Sequence, residues 1–220
     1  MKDLRFAPIA VATVSRACHR ARLSPGMALG LVALVASPLA MAQDDTPKPR
    51  ADKHYIGLLA TTFDHRSVGP LEEDAWGQAG TLVVGGHIND MFHTEFRLGG
   101  GYDDAQVPDS DLTLSVNYYA SWYMGLHYPI TDYANVYGQL GFSYINGDAT
   151  LTNLDQDRNK LYKDFGSEFP ASSFAVNWLA GIDFEVFSDT YLVFEGGKLF
   201  EDTDTGVESF QFSGGLRYEF

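Results

Sequence analysis

One long stretch of alternating side chains constrains the fold more than any other feature of the sequence. In residues 111–128 every second position is apolar or aromatic, and the positions between them are mostly small or polar. One face would hold Leu112, Leu114, Val116, Tyr118, Ala120, Trp122, Met124, Leu126 and Tyr128; the other would hold Thr113, Ser115, Asn117, Tyr119, Ser121, Tyr123, Gly125 and His127. Successive side chains of a β-strand point to opposite faces, and no helical period explains this run. The stretch predicts one long, two-faced strand.

The end of the chain carries the same pattern in residues 207–220. The apolar series is Phe210, Phe212, Gly214, Leu216, Tyr218 and Phe220, and the polar series is Ser209, Gln211, Ser213, Gly215, Arg217 and Glu219. The last residue of the chain is therefore an aromatic residue on the apolar face of a predicted strand.

Similar stretches recur along the chain and predict eight strands in all. They cover residues 54–63, 75–88, 91–102, 111–128, 134–145, 172–187, 190–200 and 207–220. The connections after the second, fourth and sixth strands are short, whereas those after the first, third, fifth and seventh are longer, polar and acidic. An even strand number with short turns at one end and long loops at the other is typical of outer-membrane barrels. We predict an all-β chain whose residues 53–220 form an eight-stranded antiparallel up-and-down transmembrane β-barrel.

The apolar faces are expected to point outward, toward lipid. The apolar face of residues 111–128 is long enough to span a bilayer, and aromatic residues such as Trp122, Tyr128 and Trp178 suit the two membrane interfaces. The interior of an eight-stranded barrel is just wide enough to be filled by side chains. The alternative is a soluble, lipocalin-like barrel with an apolar pocket.

The N-terminal region has the composition of an export signal. Residues 27–36 are apolar and too short for a stable membrane span, Lys and Arg residues precede them, and the small-x-small sequence 40–42 follows. We predict a signal peptide in residues 1–42 and a flexible leader in residues 43–52; the alternative is an N-terminal anchor helix. The single cysteine, Cys18, would leave with the signal, so no disulfide is expected.

The charge of the remaining chain excludes one class of partner. Residues 1–42 hold five of the 15 Lys and Arg residues and one of the 29 Asp and Glu residues, so the remainder has 10 basic and 28 acidic residues and a net charge of −18. A strongly acidic chain is not expected to bind nucleic acid.

Taken together, the signal, the alternating strands, the hairpin asymmetry and the final Tyr218-x-Phe220 resemble the small outer-membrane β-barrel family, of the OmpA barrel-domain and OmpX type. The resemblance implies a bacterial outer-membrane protein surrounded by membrane lipid and lipopolysaccharide. It also implies that the barrel-assembly machinery reads Tyr218 and Phe220 as a terminal signal.

Charged residues on the predicted lumen faces are the first candidate site. They are Glu95, Arg97, Asp183, Glu185, Glu195, Arg217 and Glu219. One interpretation is a structural network, because buried charges are usually paired; the other is a salt-bridge gate or a narrow channel, as in a small porin. Five acids face two arginines, so we expect some acids to be hydrated, protonated or paired with His87, His93 or His127.

The predicted outer loops are the second candidate site. Acidic clusters occur at residues 72–74, 103–111 and 201–204, and they suit either divalent-cation bridging to lipopolysaccharide or a solvated surface. The long segment 146–171 is the best candidate for contact with a surface ligand or host factor, and it is alternatively an extension of its hairpin. Its apolar residues are Leu161, Tyr162, Phe165 and Phe169.

Catalysis has little support in the sequence. His65 and Ser67, with Glu72 and Glu73 downstream, faintly resemble the pair of a lipid A deacylase barrel, but they lie in a predicted turn without an orienting third group. We predict no enzyme activity, catalytic residue, metal or cofactor. The favoured function is a contribution to envelope integrity or surface interaction, with a small channel or a lipid-modifying enzyme as alternatives.

Overall fold

The computed structural model describes residues 49–165, 169–170 and 174–220. The chain divides into two units, residues 1–43 and residues 44–220. The predicted signal peptide and residues 43–48 of the predicted leader lie outside the described residues. Within the described ranges, no helix has the length and apolar character needed to cross a membrane.

Eight long strands and one short strand make up the described part of the second unit. They are β1 (His54–Val68), β2 (Glu73–His87), β3 (Phe92–Asp103), the short β4 (Ala105–Gln106), β5 (Leu112–Pro129), β6 (Ala134–Leu151), β7 (Phe174–Phe187), β8 (Thr190–Glu201) and β9 (Glu208–Glu219). Single 3-10 turns cover Gly69–Leu71 and Asn159–Tyr162. The predicted loop 64–74 is mostly strand, because β1 and β2 extend toward each other, and β6 similarly runs six residues beyond its predicted end at Ile145.

The long strands close into one antiparallel barrel. Each pairs with its neighbour in the chain, β3 pairs with β5, and β9 lies between β8 and β1. The β1–β9 pairing runs from Tyr55 opposite Glu219 to Arg66 opposite Glu208. The fold prediction is confirmed, including the position of the C-terminal strand that closes the barrel.

The outward surface of the barrel is apolar, as a lipid-facing surface requires. Its exposed side chains include Ile56, Leu58, Leu82, Val84, Phe96, Leu98, Trp122, Met124, Leu126, Leu140, Phe142, Val176, Phe194 and Leu216. Exposed aromatic residues flank this band, with Trp76, Tyr102, Tyr118 and Tyr144 at one end and Tyr128, Tyr133, Phe187 and Phe220 at the other. On β5, the stretch from Tyr118 to Tyr128 has about 11 residues, the length of a transmembrane strand. This surface argues against the soluble alternative.

The two ends of the barrel differ. The end with Phe220 carries the short turns after β2, β5 and β7, and we call it the inner end. The opposite end carries the longer connections after β3, β6 and β8, and we call it the outer end.

The strands extend past the membrane band at the outer end. Their interior there is an apolar cluster, which we call the outer core. It contains Phe63, Val68, Ala75, Ala79, Ala105, Val107, Leu112, Leu114, Val116, Tyr119, Ile145, Ala149, Tyr162, Phe169, Leu199, Phe200 and Val207.

One part of the predicted strand pattern is wrong. Leu112, Leu114 and Val116 were expected on the outward face with Trp122, but all three are buried in the outer core. Val116 lies opposite Gly147 and Tyr118 opposite Asn146, so β5 has one extra residue at this point. A β-bulge of this kind inserts an unpaired residue and moves the following side chains to the other face.

Candidate functional site

Arg97 lies at the centre of the lumen and is fully buried. Its Nε donates to Glu95 Oε1 at 2.6 Å, and both of its terminal nitrogens contact Glu195, with Nη2 and Oε2 2.9 Å apart. The hydroxyl of Tyr55 donates to Glu95 Oε2 at 2.9 Å, and that of Tyr137 donates to Glu195 Oε2 at 2.8 Å. Each carboxylate is therefore held by one arginine and one tyrosine, a geometry that suits the planar fork of a guanidinium.

The local sequence explains how these groups meet. Glu95 and Arg97 are two residues apart on β3 and therefore face the same side of the sheet. Glycines on the neighbouring strands leave room for the tyrosines, since a Cβ at Gly85 would overlap the ring of Tyr55, and one at Gly181 would overlap that of Tyr137.

A second network lies nearer the inner end, around Asp183 and Glu219. Arg217 Nη2 donates to Asp183 Oδ2 at 2.5 Å, and Asn135 Nδ2 donates to Asp183 Oδ1 at 2.6 Å. Glu219 Oε1 lies 3.6 Å from Arg217 Nη2 and 3.2 Å from His87 Nε2. Arg217 therefore links two carboxylates, each of which has a further polar partner.

The segment before β1 adds a third arginine to the lumen. Arg50 is buried, and its Nη2 lies 3.2 Å from Glu219 Oε1 and 3.9 Å from Asp183 Oδ1. Its guanidinium also lies 4.3 Å from the ring centre of Tyr191. This role could not be predicted from the sequence, because Arg50 lies in a polar stretch with prolines and no alternation. Residues 50–52 of the predicted leader are held against the barrel.

The predicted lumen residues, apart from Glu185, belong to these two networks. Glu185 lies half-buried at the inner rim, where its Oε1 accepts the backbone N–H of Asp189 at 3.3 Å. In the described part of the chain, the two networks contain four carboxylates and three guanidiniums. The networks therefore carry a net charge of −1 when the nearby histidines are neutral.

The lumen is nearly closed at the level of Arg97. The cavity beside Arg97, Glu95 and Glu195 measures about 10 Å³, and a single water needs roughly 10–15 Å³. At the inner end, by contrast, a cavity of about 450 Å³ opens beside Arg50 and His127. Among the described residues, the polar interior is therefore a wide inner mouth that ends at a closed centre.

The segment between β6 and β7 forms a second closure at the outer end. We call residues 152–165 the lid. Asn159 ties it down, because its Oδ1 accepts the backbone N–H of Asp111 at 3.0 Å and its Nδ2 donates to Asp111 Oδ2 at 2.8 Å. Tyr162 is fully buried and donates to Glu73 Oε2 at 2.8 Å. Burial and this hydrogen bond raise the pKa of Tyr162 to about 12.

The contact below Tyr162 requires a glycine. Gly69 has a φ of +67°, and a Cβ there would overlap the tyrosine ring.

Glu73 is bound by two lid side chains, because Arg158 contacts it in addition to Tyr162. The acidic residues Glu73 and Asp111, predicted as candidate cation ligands, thus hold the lid in place.

The predicted interaction residues are mostly turned inward. Tyr162 and Phe169 are fully buried, and Phe165 is half-buried against the outer core. Leu161 has 51% of its surface exposed. Of these four, Leu161 is the most exposed.

We expect the change Tyr162→Ala to open the lid while leaving the barrel folded. Removing a buried aromatic ring leaves a cavity under the lid and should raise the population of the open lid at least about tenfold. Trypsin can measure this opening, because Arg158, Lys160 and Lys163 all lie in the lid and cleavage tracks the open population. The change Leu161→Ala, at the exposed neighbouring position, is the matched control. Equal cleavage rates for the two variants would contradict the closure.

The histidine of the predicted deacylase-like pair has a different partner. His65 Nδ1 lies 2.5 Å from Ser209 Oγ, and both residues are buried, whereas Ser67 is exposed. The rings of Phe63, Phe169 and Phe200 surround His65. The sequence could not reveal this contact, because it depends on the register of β1 with β9. The pair sits inside the outer core, where a lipid substrate has no access.

Within the described ranges, no group of three His, Cys, Asp or Glu side chains is arranged to hold a metal ion.

Comparisons with known proteins agree with this architecture. The family model described as outer membrane protein beta-barrel domain matches residues 27–220. A search of the curated proteins finds no match. Among solved structures, Ail, the attachment invasion locus protein of Yersinia pestis, is similar with a TM-score of 0.52 and 14% identity, covering 77% of this chain and 99% of that chain. The structure of Ail in complex with the heparin analogue sucrose octasulfate is similar with a TM-score of 0.50, at the same identity and the same coverage of both chains. At this identity the likeness concerns the fold alone.

Proposed function

Because the chain belongs to the outer membrane protein β-barrel domain family, we propose that it is a non-enzymatic barrel serving envelope integrity or surface interaction rather than transport. The observation that carries this proposal is the closed centre of the lumen, where the cavity beside Arg97 is about 10 Å³. The outer core and the lid add a second closure above it. A barrel filled in this way is a rigid membrane element with its longer connections at the outer end.

The proposal includes a route to the bacterial outer membrane. Residues 1–42 would be removed as a signal peptide during export, and the barrel-assembly machinery would read Tyr218 and Phe220. Both of these side chains are exposed on the outward face at the inner end. The backbone of Phe220 also pairs with His54, so this signal lies where β9 meets the first strand.

The outer surface favours cationic ligands. The described outer connections carry acidic residues such as Asp104, Asp109 and Asp204, and two of the three basic residues of the lid, Arg158 and Lys160, are paired with Glu73 and Asp157. A sulfated ligand such as the heparin analogue in the Ail complex would be repelled by this charge. We therefore expect cationic partners, or divalent cations shared with lipopolysaccharide, to bind here.

The alternative function is a narrow channel, and the wide, charged inner mouth is the observation that favours it. Planar-bilayer recording of the folded protein separates the two functions. We expect no discrete conductance steps, since the closed centre and the outer core both block the lumen. Steps that appear in the wild type and change in size in Arg97→Ala would support the channel, because only a current through this lumen depends on that residue.

A further inference from the structure

The segment before β1 lines the inner mouth of the lumen. We call residues 49–52 the strap. The backbone N–H groups of Arg50 and Ala51 donate to Asp90 Oδ1 at 2.9 and 3.1 Å, and that of Asp52 donates to the His87 carbonyl at 3.2 Å. Beyond these few bonds, the strap is held by the side chain of Arg50, which enters the lumen.

Three histidines surround the buried end of that side chain. The ring centres of His87, His93 and His127 lie 5.3 to 5.9 Å from one another. Arg50 contacts His127 through Nη1, which lies 3.2 Å from His127 Nδ1. His87 and His93 are buried, and the Nδ1 atoms of both have no hydrogen-bond partner among the described residues. The guanidinium of Arg50 therefore lies against one imidazole of a cluster of three.

Other charged and titratable groups face the same space from every neighbouring element. They are Tyr55 on β1, Asp90 in the turn after β2, Glu95 on β3, Tyr137 on β6, Asp183 on β7, Tyr191 on β8, and Arg217 and Glu219 on β9. Asp183 and Glu219 are the carboxylates closest to Arg50, and Arg217 already shares both of them. Arg50 and Arg217 therefore offset the charges of Asp183 and Glu219, and a proton added to His127 would place a positive charge directly beside the guanidinium of Arg50.

We propose that the strap is a pH-sensitive latch, in which proton uptake by the histidine cluster displaces Arg50 and widens the inner mouth. Imidazole is the side chain whose charge ordinarily changes between about pH 5 and 8. Arg217 is fixed on β9 by its strand pairing, whereas Arg50 belongs to a segment outside the barrel, so repulsion is relieved by the departure of Arg50.

The anchor at Asp90 does not account for such a response. The backbone hydrogen bonds from Arg50 and Ala51 lower the pKa of the Asp90 carboxyl, so Asp90 stays charged where imidazole titrates.

The direction of the pH dependence follows from proton binding. The released state binds more protons than the latched state. The latch therefore holds at high pH and is lost as the pH falls. Release widens the inner mouth and leaves the contacts of Arg97 with Glu95 and Glu195 in place.

Amide hydrogen exchange of residues 50–53, followed by NMR in the mature chain folded in lipid nanodiscs, tests the latch. After correction for the intrinsic pH dependence of exchange, the opening equilibrium should rise as the pH falls from about 8 to about 4, by up to about tenfold per pH unit for each proton taken up. Arg50→Gln should leave these amides unprotected throughout that range. Protection that does not change with pH in the wild type would overturn the proposal.

Two histidine variants identify the titrating groups. The triple change His87→Gln, His93→Gln and His127→Gln should abolish the pH response, and His127→Gln alone should weaken it if the triple variant does not fold. His54→Gln is the matched control, because His54 is an exposed histidine outside the cluster. A pH response that survives in the folded triple variant, that is undiminished in His127→Gln, or that disappears in His54→Gln would also overturn the latch.

Discussion

Replacing Arg97 by methionine is expected to destabilise the folded barrel by about 3–5 kcal/mol, the usual cost of breaking a buried ion pair from one side. The change leaves the carboxylates of Glu95 and Glu195 buried, close together and without a cation. The hydroxyls of Tyr55 and Tyr137 remain as their donors, but a hydroxyl does not neutralise a charge. Urea-induced unfolding of the barrel in lipid vesicles measures the loss.

A neutral version of the network separates the effect of charge from that of shape. Combining Arg97→Met with Glu95→Gln and Glu195→Gln should recover most of the lost stability, since no uncompensated charge remains. Lys160→Met is the matched control: Lys160 and its partner Asp157 are both exposed, and surface pairs contribute only about 0–1 kcal/mol. If Arg97→Met costs no more than Lys160→Met, the central network does not stabilise the barrel.

The second large loss of stability is expected when an inward-facing glycine of β6, Gly141, is replaced by alanine. A Cβ at Gly141 would overlap the backbone carbonyl oxygen of Trp122 and lie 3.0 Å from Asn177 Oδ1. Because a backbone atom of β5 cannot move without separating the two strands, Gly141→Ala should cost about 1–3 kcal/mol, or more if the strands separate.

Gly138, on the same strand but facing outward, provides the comparison. A Cβ there meets no atom within 4 Å, so Gly138→Ala should be neutral or stabilise the barrel by about 0.4–1 kcal/mol. The yield of folded, heat-modifiable protein and the urea midpoint distinguish the two variants. Equal behaviour would mean that β5 and β6 do not pack as closely as described.

The sequence predicted the barrel well because the pleat of a strand imposes a strict period of two. Residues two apart, such as Glu95 and Arg97, must share a face, so the lumen residues could be selected before their partners were known. The bulge at Asn117 could not be predicted, because the alternation of residue types continues through it while the side chains change faces. Arg50 and Ser209 were missed for another reason: their contacts depend on residues far away in the chain.

The lid shows a limit of interpreting aromatic residues in polar segments. Tyr162 and Phe169 were predicted to contact a partner, since aromatic residues in a loop often do. The strands that extend above the membrane enclose an apolar interior that needs a cover, and these rings provide it. Their burial could be predicted only once the strand lengths at the outer end were known.

The outer core also affects the seam where the two ends of the barrel meet. It includes Phe63 and Val68 of β1 and Val207, which directly precedes β9. Apolar packing therefore holds both sides of the seam together. The same seam has twelve paired residues between Tyr55 and Arg66 on β1. Parting β1 from β9 would break these pairings and expose the apolar outer core to water, so lateral opening at this seam is unfavourable.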